Sequence, residues 1–378
     1  MKKVLIFTTQ EGHLSIAKAA NQAFSKAGFK TQLTDVLPKK AFKLYTPIYR
    51  YFPYLYKVPY KIGEQDTVNK AIKMFVENKL KKQVKNEIKH FQPDLVVSAN
   101  LFYNPAISKV LDYQKNHTPF INIITDPWTI HAGMFAKSAE FNLVYDEKSI
   151  KIGKKNRISK EKLVTIGWLV RNKFYKPDDL SIIRQKLDFK KNIFTILICG
   201  GSEGTNMILK IMPALLTIKR QIQVIVVCGS NKTLYKALSS FKKMLPKLIK
   251  TKISRLENLS LRLNIKLFRF TNKMPDLISI SNLVVGKAGP NLIFEAVAGK
   301  KPFFAICHIS GQEDGNLDLI RKKRLGIVEE NTLKAIRLLR KIIDNPHYLD
   351  KFSPFIEKER LLNLEAGNNL IKIANKLV

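Results

Sequence analysis

Residues 284–306, VVGKAGPNLIFEAVAGKKPFFAI, place an apolar strand, a Gly-Pro elbow, a short helical run and a second apolar strand in immediate succession. A strand that stops at Gly-Pro and passes directly into a helix is half of a parallel βαβ crossover, because proline is accepted in the first helical turn but cannot continue a ladder. Glu295 stands out inside that helix. Its neighbours are Leu292, Ile293, Phe294, Ala296, Val297 and Ala298, and an unpaired carboxylate in such company is costly. A carboxylate on a helix that opens from the carboxyl edge of a sheet suits a ribose diol, since it accepts two hydrogen bonds. A solvent-facing helical glutamate is the plainer alternative.

The same rhythm extends outward along the chain. Short Val/Ile-rich runs at 4–9, 30–36, 93–99, 120–126, 141–146 and 162–168 alternate with helical patterns at 15–27, 67–90 and 104–115. It restarts at 193–201, 223–229, 266–270, 283–286 and 302–306, with amphipathic helices expected at 331–344 and 355–378. Strands alternating with helices define the α/β class with doubly wound parallel sheets. At 378 residues the chain exceeds one ordinary core, so two Rossmann-like domains facing a cleft are expected. Residues 1–170 form the first, 171–191 a charged, proline-bearing linker that reads as a connection plus a helix, 192–354 the second, and 355–378 a helix crossing back onto the first.

Hydrophobic content of 45% with 25% charged residues fits a folded protein and excludes general disorder. Sixty-six Lys and Arg against 30 Asp and Glu leave +36, a field that attracts nucleic acid or an anionic membrane surface; a compositional lysine bias is the bland source of the same number. Cys199, Cys228 and Cys307 fall at strand ends without C-x-x-C spacing, which points away from disulfides and zinc and toward a reducing cytosol. The opening MKKVLIFTT lacks a cleavage site and reads as a first strand, and no apolar run reaches the ~18 residues of a membrane span.

Four stretches carry candidate chemistry. In CGGSEGTNMILK (199–210) a Gly-rich turn follows a strand and opens a helix, so Gly201, Ser202 and Gly204 would present backbone N–H groups to a phosphate. It has neither the G-K-[ST] ending of a P-loop nor the G-x-G-x-x-G fingerprint, and a tight turn without ligand would look alike. The Gly289-Pro290 elbow supplies a second helix start. Gln312, Glu313 and Asn316 in HISGQEDGNLDLI (308–320) have the donors and acceptors that grip sugar hydroxyls, as would an ordinary capping loop. His13, at the first strand-to-helix turn, is a candidate general base beside the plainer reading of a structural turn histidine. Asp126 is placed to orient it, and His131 in the same loop is its rival.

One further stretch is neither strand nor turn. Residues 39–61, KKAFKLYTPIYRYFPYLYKVPYK, hold six of the 12 tyrosines, six Lys or Arg, and no acid. Tyrosine favours the lipid–water boundary, and each basic side chain near an anionic surface gains roughly 1 kcal/mol. Lys43, Tyr45, Tyr49, Arg50, Tyr51, Phe52, Tyr54, Tyr56 and Lys57 are therefore the expected membrane-docking residues. Stacking on single-stranded nucleic acid and a plain partner-binding loop are the alternatives.

Taken together, EGHLSIAKA (11–19), TDPWTIHAGMF (125–135), IGWLVRNKF (166–174), CGGSEG (199–204), GKAGPNLIFEA (286–296) and GQEDGN (311–316) resemble glycosyltransferase family 28. The resemblance is to its monogalactosyldiacylglycerol synthases and processive diacylglycerol glucosyltransferases. More distantly the chain is similar to the enzyme that adds N-acetylglucosamine to lipid-linked peptidoglycan precursors. Gln10 and Glu11 stand where the family usually has glycines. The resemblance implies the GT-B architecture, with a UDP-sugar held chiefly by the second domain and a lipid acceptor by the first. It implies Gly201, Ser202 and Gly204 on the diphosphate, with Lys287 and the Gly289 elbow beside them, Phe270 and Thr271 at the uracil, and Glu295 on the ribose. Gln312, Glu313 and Asn316 would hold the sugar, and His13 would deprotonate the acceptor hydroxyl in an inverting displacement. No D-x-D pair is present for a metal, and no cofactor beyond the donor is implied. The expected protein is cytoplasmic and peripheral on the inner leaflet, with no nucleic-acid partner. The competing functions are a UDP-sugar epimerase of the same fold and a noncatalytic polyanion-binding protein.

Overall fold

The computed structural model describes all residues except 10–11, 38–49, 113–117, 216–217, 219 and 251–262. Two compact units result: Met1–Lys43 with Lys57–Asn172 and Leu361–Val378, and Leu44–Tyr56 with Lys173–Arg360.

The first unit is built on a six-stranded sheet, β1 (Lys3–Phe7), β2 (Lys30–Thr34), β3 (Leu95–Ser98), β4 (Phe120–Ile123), β5 (Phe141–Val144) and β6 (Leu163–Thr165). All pairings are parallel, in the order β2-β1-β3-β4-β5-β6. Helices cover both faces, so β3 and β4 are buried along their whole length and read as unbroken apolar runs. The helix Asp66–Phe91 presents Leu80, Val84 and Ile88, four residues apart, to a cluster with Leu5, Phe7, Val96, Tyr103 and Ile107. The Phe7 and Tyr103 rings lie 5.4 Å apart. The Tyr103 hydroxyl, buried with them, donates to Asp35 Oδ1 at 2.8 Å and accepts the Val36 N–H at 3.0 Å. Truncating Phe7 to alanine in so dense a setting costs about 3–5 kcal/mol.

The second unit repeats the plan with β7 (Phe194–Cys199), β8 (Ile222–Val227), β9 (Leu263–Phe268), β10 (Leu283–Lys287), β11 (Phe303–Cys307) and β12 (Gly326–Val328). Its order is β12-β11-β10-β7-β8-β9, again all parallel. Strand order reverses between β1 and β3 in one sheet and between β7 and β10 in the other. Loops leaving the carboxyl ends diverge at such a reversal and open a crevice there, and this places the candidate residues.

Several boundaries differ from those read in the sequence. The strands expected to reach residues 9, 126, 146 and 201 leave their ladders two or three residues earlier, because those final residues form the loops of the carboxyl edge. The stretch 171–191, read as a connection plus a helix, holds the helix Leu180–Leu187, and the units divide at its start, between Asn172 and Lys173. The described part of the segment 39–61 is divided too: residues 50–56 group with the second unit and Lys57 onward with the first. The terminal helix is two, Ser353–Leu364 and Ala366–Ala374. Asn363 Oδ1 accepts the Trp168 N–H at 2.8 Å, and Asn369 Nδ2 donates to the Ile166 carbonyl at 3.3 Å. These bonds tie Leu361–Val378 to the first unit.

Candidate active site

In the second unit, β7 runs into Gly200–Thr205. Gly201 and Gly204 hold φ of 81° and 69°, where a side chain is strained. A Cβ on Gly204 would lie 1.9 Å from the Cys228 carbonyl oxygen, so the turn closes this tightly only with glycine. The expected α-helix after it is instead a 3₁₀ stretch, Asn206–Ile211, followed by the single turn Met212–Leu215. Pro213 lacks the N–H an α-helix would use there, so what this turn can offer an anion is its own N–H groups and not a helix dipole.

Across the switch point, Gly289 caps the helix Pro290–Ala298, with proline in its first turn as expected. Lys287, the last residue of β10, joins the two turns. A Cβ on Gly201 would meet Lys287 Cε at 3.4 Å, and one on Gly289 would meet Lys287 Nζ at 3.2 Å. The ammonium therefore stands between both glycine turns. It is held by an ion pair with Glu313 Oε1, while Glu313 Oε2 accepts the Ile309 N–H at 2.8 Å. Glu313 is buried, so this cation is aimed from beneath by a carboxylate that itself cannot swing away.

Glu295 is buried in the same helix, beside the end of β7. Burial first, and then the Glu295 charge, push the Cys199 thiol up to about 11, while the Lys287 charge and the Gly201 N–H oppose the rise. Those four groups thus share one small volume. Gln312 is half-buried in the loop before the helix Asp314–Lys322. Asn316, expected on the sugar, is buried, and its Nδ2 donates to the Ala288 carbonyl at 2.8 Å, tying this helix to the Gly289 elbow. Ser202 contributes its carbonyl, which accepts the Ser230 N–H at 2.7 Å. Phe270 and Thr271 follow β9. Phe270 is 63% exposed, and Thr271 Oγ1 accepts the Lys273 N–H at 3.1 Å.

Sequence reasoning passed over His308. Its Nδ1 lies 2.7 Å from Glu330 Oε1 and its Nε2 3.0 Å from Asp314 Oδ1, which also accepts the Gly311 N–H at 2.8 Å. Burial lowers the His308 pKa, but the Glu330 hydrogen bond and charge and the Asp314 charge outweigh it, so the net shift is upward. Lys210 Nζ donates to the Glu330 carbonyl at 2.7 Å beside this cluster. The available signal was a histidine one residue beyond a strand and directly before the polar loop.

In the first unit, His13 enters the helix Gly12–Lys26 just after β1, at the β1/β3 reversal; Gln10 and Glu11 lie outside the described residues. Burial lowers its pKa to about 4, opposed only by a hydrogen bond to the Ala99 carbonyl. Its Nδ1 is buried with no hydrogen-bond partner. The imidazole is thus neutral near pH 7, with one nitrogen committed and a lone pair at the other. Asp126 is buried beyond the end of β4, two strands along the sheet from β1. Its charge is not among the groups that shift His13. The rival His131 accepts the Gly133 N–H at Nδ1, at 3.0 Å, and packs edge-on to Tyr60 at 5.5 Å, so it caps a turn.

Of the expected docking residues, Lys43, Tyr45 and Tyr49 lie outside the described residues. Tyr51, Phe52, Tyr54 and neighbouring Leu55 are exposed, as is Lys57, and Tyr56 is half-buried. Arg50 faces inward and bonds to Glu203. Among the described residues no helix is long and apolar enough to cross a membrane, and no group of three or more His, Cys, Asp or Glu could hold a metal.

Two Rossmann-like units with candidate residues at their switch points define a GT-B fold, and solved structures of that fold match it end to end. Acinetobacter baumannii MurG superposes with a TM-score of 0.60 at 13% identity, covering 100% of both chains. Neisseria meningitidis UDP-GlcNAc 2-epimerase bound to UDP-GlcNAc does so at 0.62 and 15%, also over 100% of both. These likenesses establish the fold. Residues 195–346 match the glycosyltransferase family 28 C-terminal domain, and residues 13–170 match monogalactosyldiacylglycerol (MGDG) synthase. A processive diacylglycerol beta-glucosyltransferase of Bacillus cereus (strain AH187) is 23% identical over 343 residues, 86% of this chain and 81% of the relative. The chain belongs to glycosyltransferase family 28, in its monogalactosyldiacylglycerol synthase and processive diacylglycerol glucosyltransferase group.

Proposed function

We propose that the protein moves a hexose from a UDP-sugar to a membrane lipid alcohol such as diacylglycerol, with inversion at the anomeric carbon and without a metal ion. The observation that carries this is the Lys287 ammonium, fixed by buried Glu313 between the glycine turns of the β7/β10 switch point. A cation so placed neutralises a diphosphate as the glycosidic C–O bond breaks and charge builds on the departing UDP. The Gly201–Gly204 turn and the N-terminus of helix Pro290–Ala298 supply N–H groups to the same oxygens. Glu295 takes the ribose hydroxyls, Phe270 and Thr271 flank the uracil, and Gln312 with Asn316 borders the sugar.

His13 Nδ1 receives the acceptor hydroxyl proton as that oxygen bonds to the anomeric carbon. A base with a pKa of about 4 in the resting protein accepts a proton only late, once the forming C–O bond has made the hydroxyl acidic. Asp126 lies at the same edge and is assigned to the acceptor alcohol. The exposed Tyr51, Phe52, Tyr54 and Lys57 support peripheral docking on an anionic leaflet facing the cytoplasm.

An epimerase shares the fold, but the match of residues 13–170 to an MGDG synthase favours transfer to a lipid. The test is incubation with a panel of UDP-sugars and a lipid extract, followed by mass measurement of new glycolipid. A hexose-sized increment on a lipid is expected. Interconversion of free UDP-sugars with no lipid product would replace transferase with epimerase, and no binding of any UDP-sugar would leave a polyanion-binding protein.

A further inference from the structure

Arg50 belongs by composition to the docking stretch, yet its guanidinium is committed to protein. Its Nε donates to the Glu203 carbonyl at 3.0 Å, and its Nη2 donates to Glu203 Oε2 at 3.1 Å and to Ser230 Oγ at 2.8 Å. The contact is reciprocal. Thr205 Oγ1 donates to the Arg50 carbonyl at 3.4 Å, and the Ser310 N–H donates to the Pro53 carbonyl at 3.3 Å. Pro53 is buried at this seam, whereas Tyr51, Phe52 and Tyr54 between and beside these anchors are exposed. Arg50 and Glu203 retain only 24% of their side-chain exposure each.

Glu203 is a poor residue for the place it occupies. It lies between Ser202 and Gly204 in the turn assigned to the diphosphate, where a free carboxylate would repel the ligand and compete for the turn's N–H groups. Arg50 removes both problems. Its planar fork binds the carboxylate and, through Nε, the carbonyl of the same residue, so both the charge and the backbone orientation of the turn are set by one side chain. The bond to Ser230 Oγ extends the hold to the β8 exit loop, whose Ser230 N–H already binds the Ser202 carbonyl at 2.7 Å.

We infer that Arg50 is a positioning residue for donor binding: the basic aromatic segment reaches into the donor turn and holds Glu203 in a ligand-compatible state. This rests on the assignment of Gly201–Gly204 to the diphosphate. Tyr51 and Phe52 follow Arg50 directly, so the same short run anchors the donor turn on one side and offers aromatic rings outward on the other.

The experiment is calorimetry with UDP, paired with donor kinetics, on the full chain and on Arg50→Ala, Arg50→Lys, Glu203→Gln and the double variant Arg50→Ala/Glu203→Gln. Arg50→Ala is expected to weaken UDP about tenfold and to raise the donor KM similarly with kcat within about threefold, since a charge-assisted fork is lost and no reacting atom is touched. Arg50→Lys should fall between, because a point cation cannot bridge carbonyl, carboxylate and hydroxyl together. The double variant should recover most of the lost affinity by removing the unneutralised charge; a fold-disrupting loss would not be recovered in this way. Wild-type UDP affinity in both Arg50 variants, with a drop only in retention by anionic vesicles, would overturn the inference and return Arg50 to lipid contact. Failure of the wild-type chain itself to bind UDP would instead overturn the donor-site assignment, and the inference with it.

Discussion

The carboxyl edges of the two sheets are opposite in character. In the first unit, β1 and β3 end among Thr8, Thr9, Ser98 and Asn100, all neutral and buried, with Asn100 Nδ2 bonded to Thr9 Oγ1 at 3.0 Å. His13 sits there uncharged. In the second unit the corresponding edge is built from ion pairs: Lys287 with Glu313, Arg50 with Glu203, and His308 between Glu330 and Asp314. Lys287 and Arg50 are thus already paired, and so is His308 when protonated. The uncharged surroundings of the β1/β3 reversal, with Asp126 two strands along the same edge, suit an alcohol arriving beside an uncharged base. An edge of paired cations suits a diphosphate, which enters a field held in place before it arrives, so little reorganisation accompanies leaving-group departure. The contrast supports the proposed division, with the acceptor on the first unit and the donor on the second.

The sharpest break of that contrast comes from each edge's central residue. His13→Ala is expected to lower kcat by about 10²–10⁴-fold while UDP affinity in calorimetry stays within twofold, because only the base is removed. A parallel fall in UDP affinity would place His13 on the donor side. Lys287→Ala should act in the reverse sense. UDP affinity should fall about a hundredfold, and the chain should lose about 3 kcal/mol in urea unfolding, because Glu313 is left buried and unpaired. Adding Glu313→Gln to Lys287→Ala should restore much of the stability and none of the affinity. Restoration of both would mean that the pair serves the fold alone.

How much of this was readable without coordinates depends on whether a feature is local. The glycine turns were legible because a turn that admits no side chain writes itself as Gly at fixed spacing, as Gly204 shows against the Cys228 carbonyl. The alternation of strands and helices was legible for the same reason. Lys287 and Glu313 were both singled out, but their pairing was not, since it depends on β10 lying beside β11. Glu330 was missed because β12, only three residues long and begun by glycine, carries too little apolar signal to be read as a strand. Arg50 was read by the company it keeps in sequence, whereas its partner Glu203 stands 153 residues away. The break after Leu364 followed no proline or glycine at that point, so periodicity alone joined two helices into one.

The gentlest probe of the contrast is pH, because each edge carries a histidine shifted in the opposite direction. His13 has its folded pKa depressed from 6.5 to about 4 by burial. The unfolded chain therefore binds a proton that the native state refuses, and stability falls as pH drops from 6.5 toward 4. His308 has its folded pKa raised above 6.5 by Glu330 and Asp314 against the pull of burial. Its contribution is complete below 6.5 and fades as pH rises through the raised folded value. Urea midpoints of wild type and His308→Gln should therefore differ most near pH 6 and converge in mildly alkaline buffer. For His13→Gln the native state no longer has a proton to refuse, so the acid-side decline between 6.5 and 4 should be shallower than in wild type. If both variants changed stability by the same amount at every pH, neither histidine would sense the charge of its edge, and the division between a neutral and an ion-paired edge would lose its electrostatic basis.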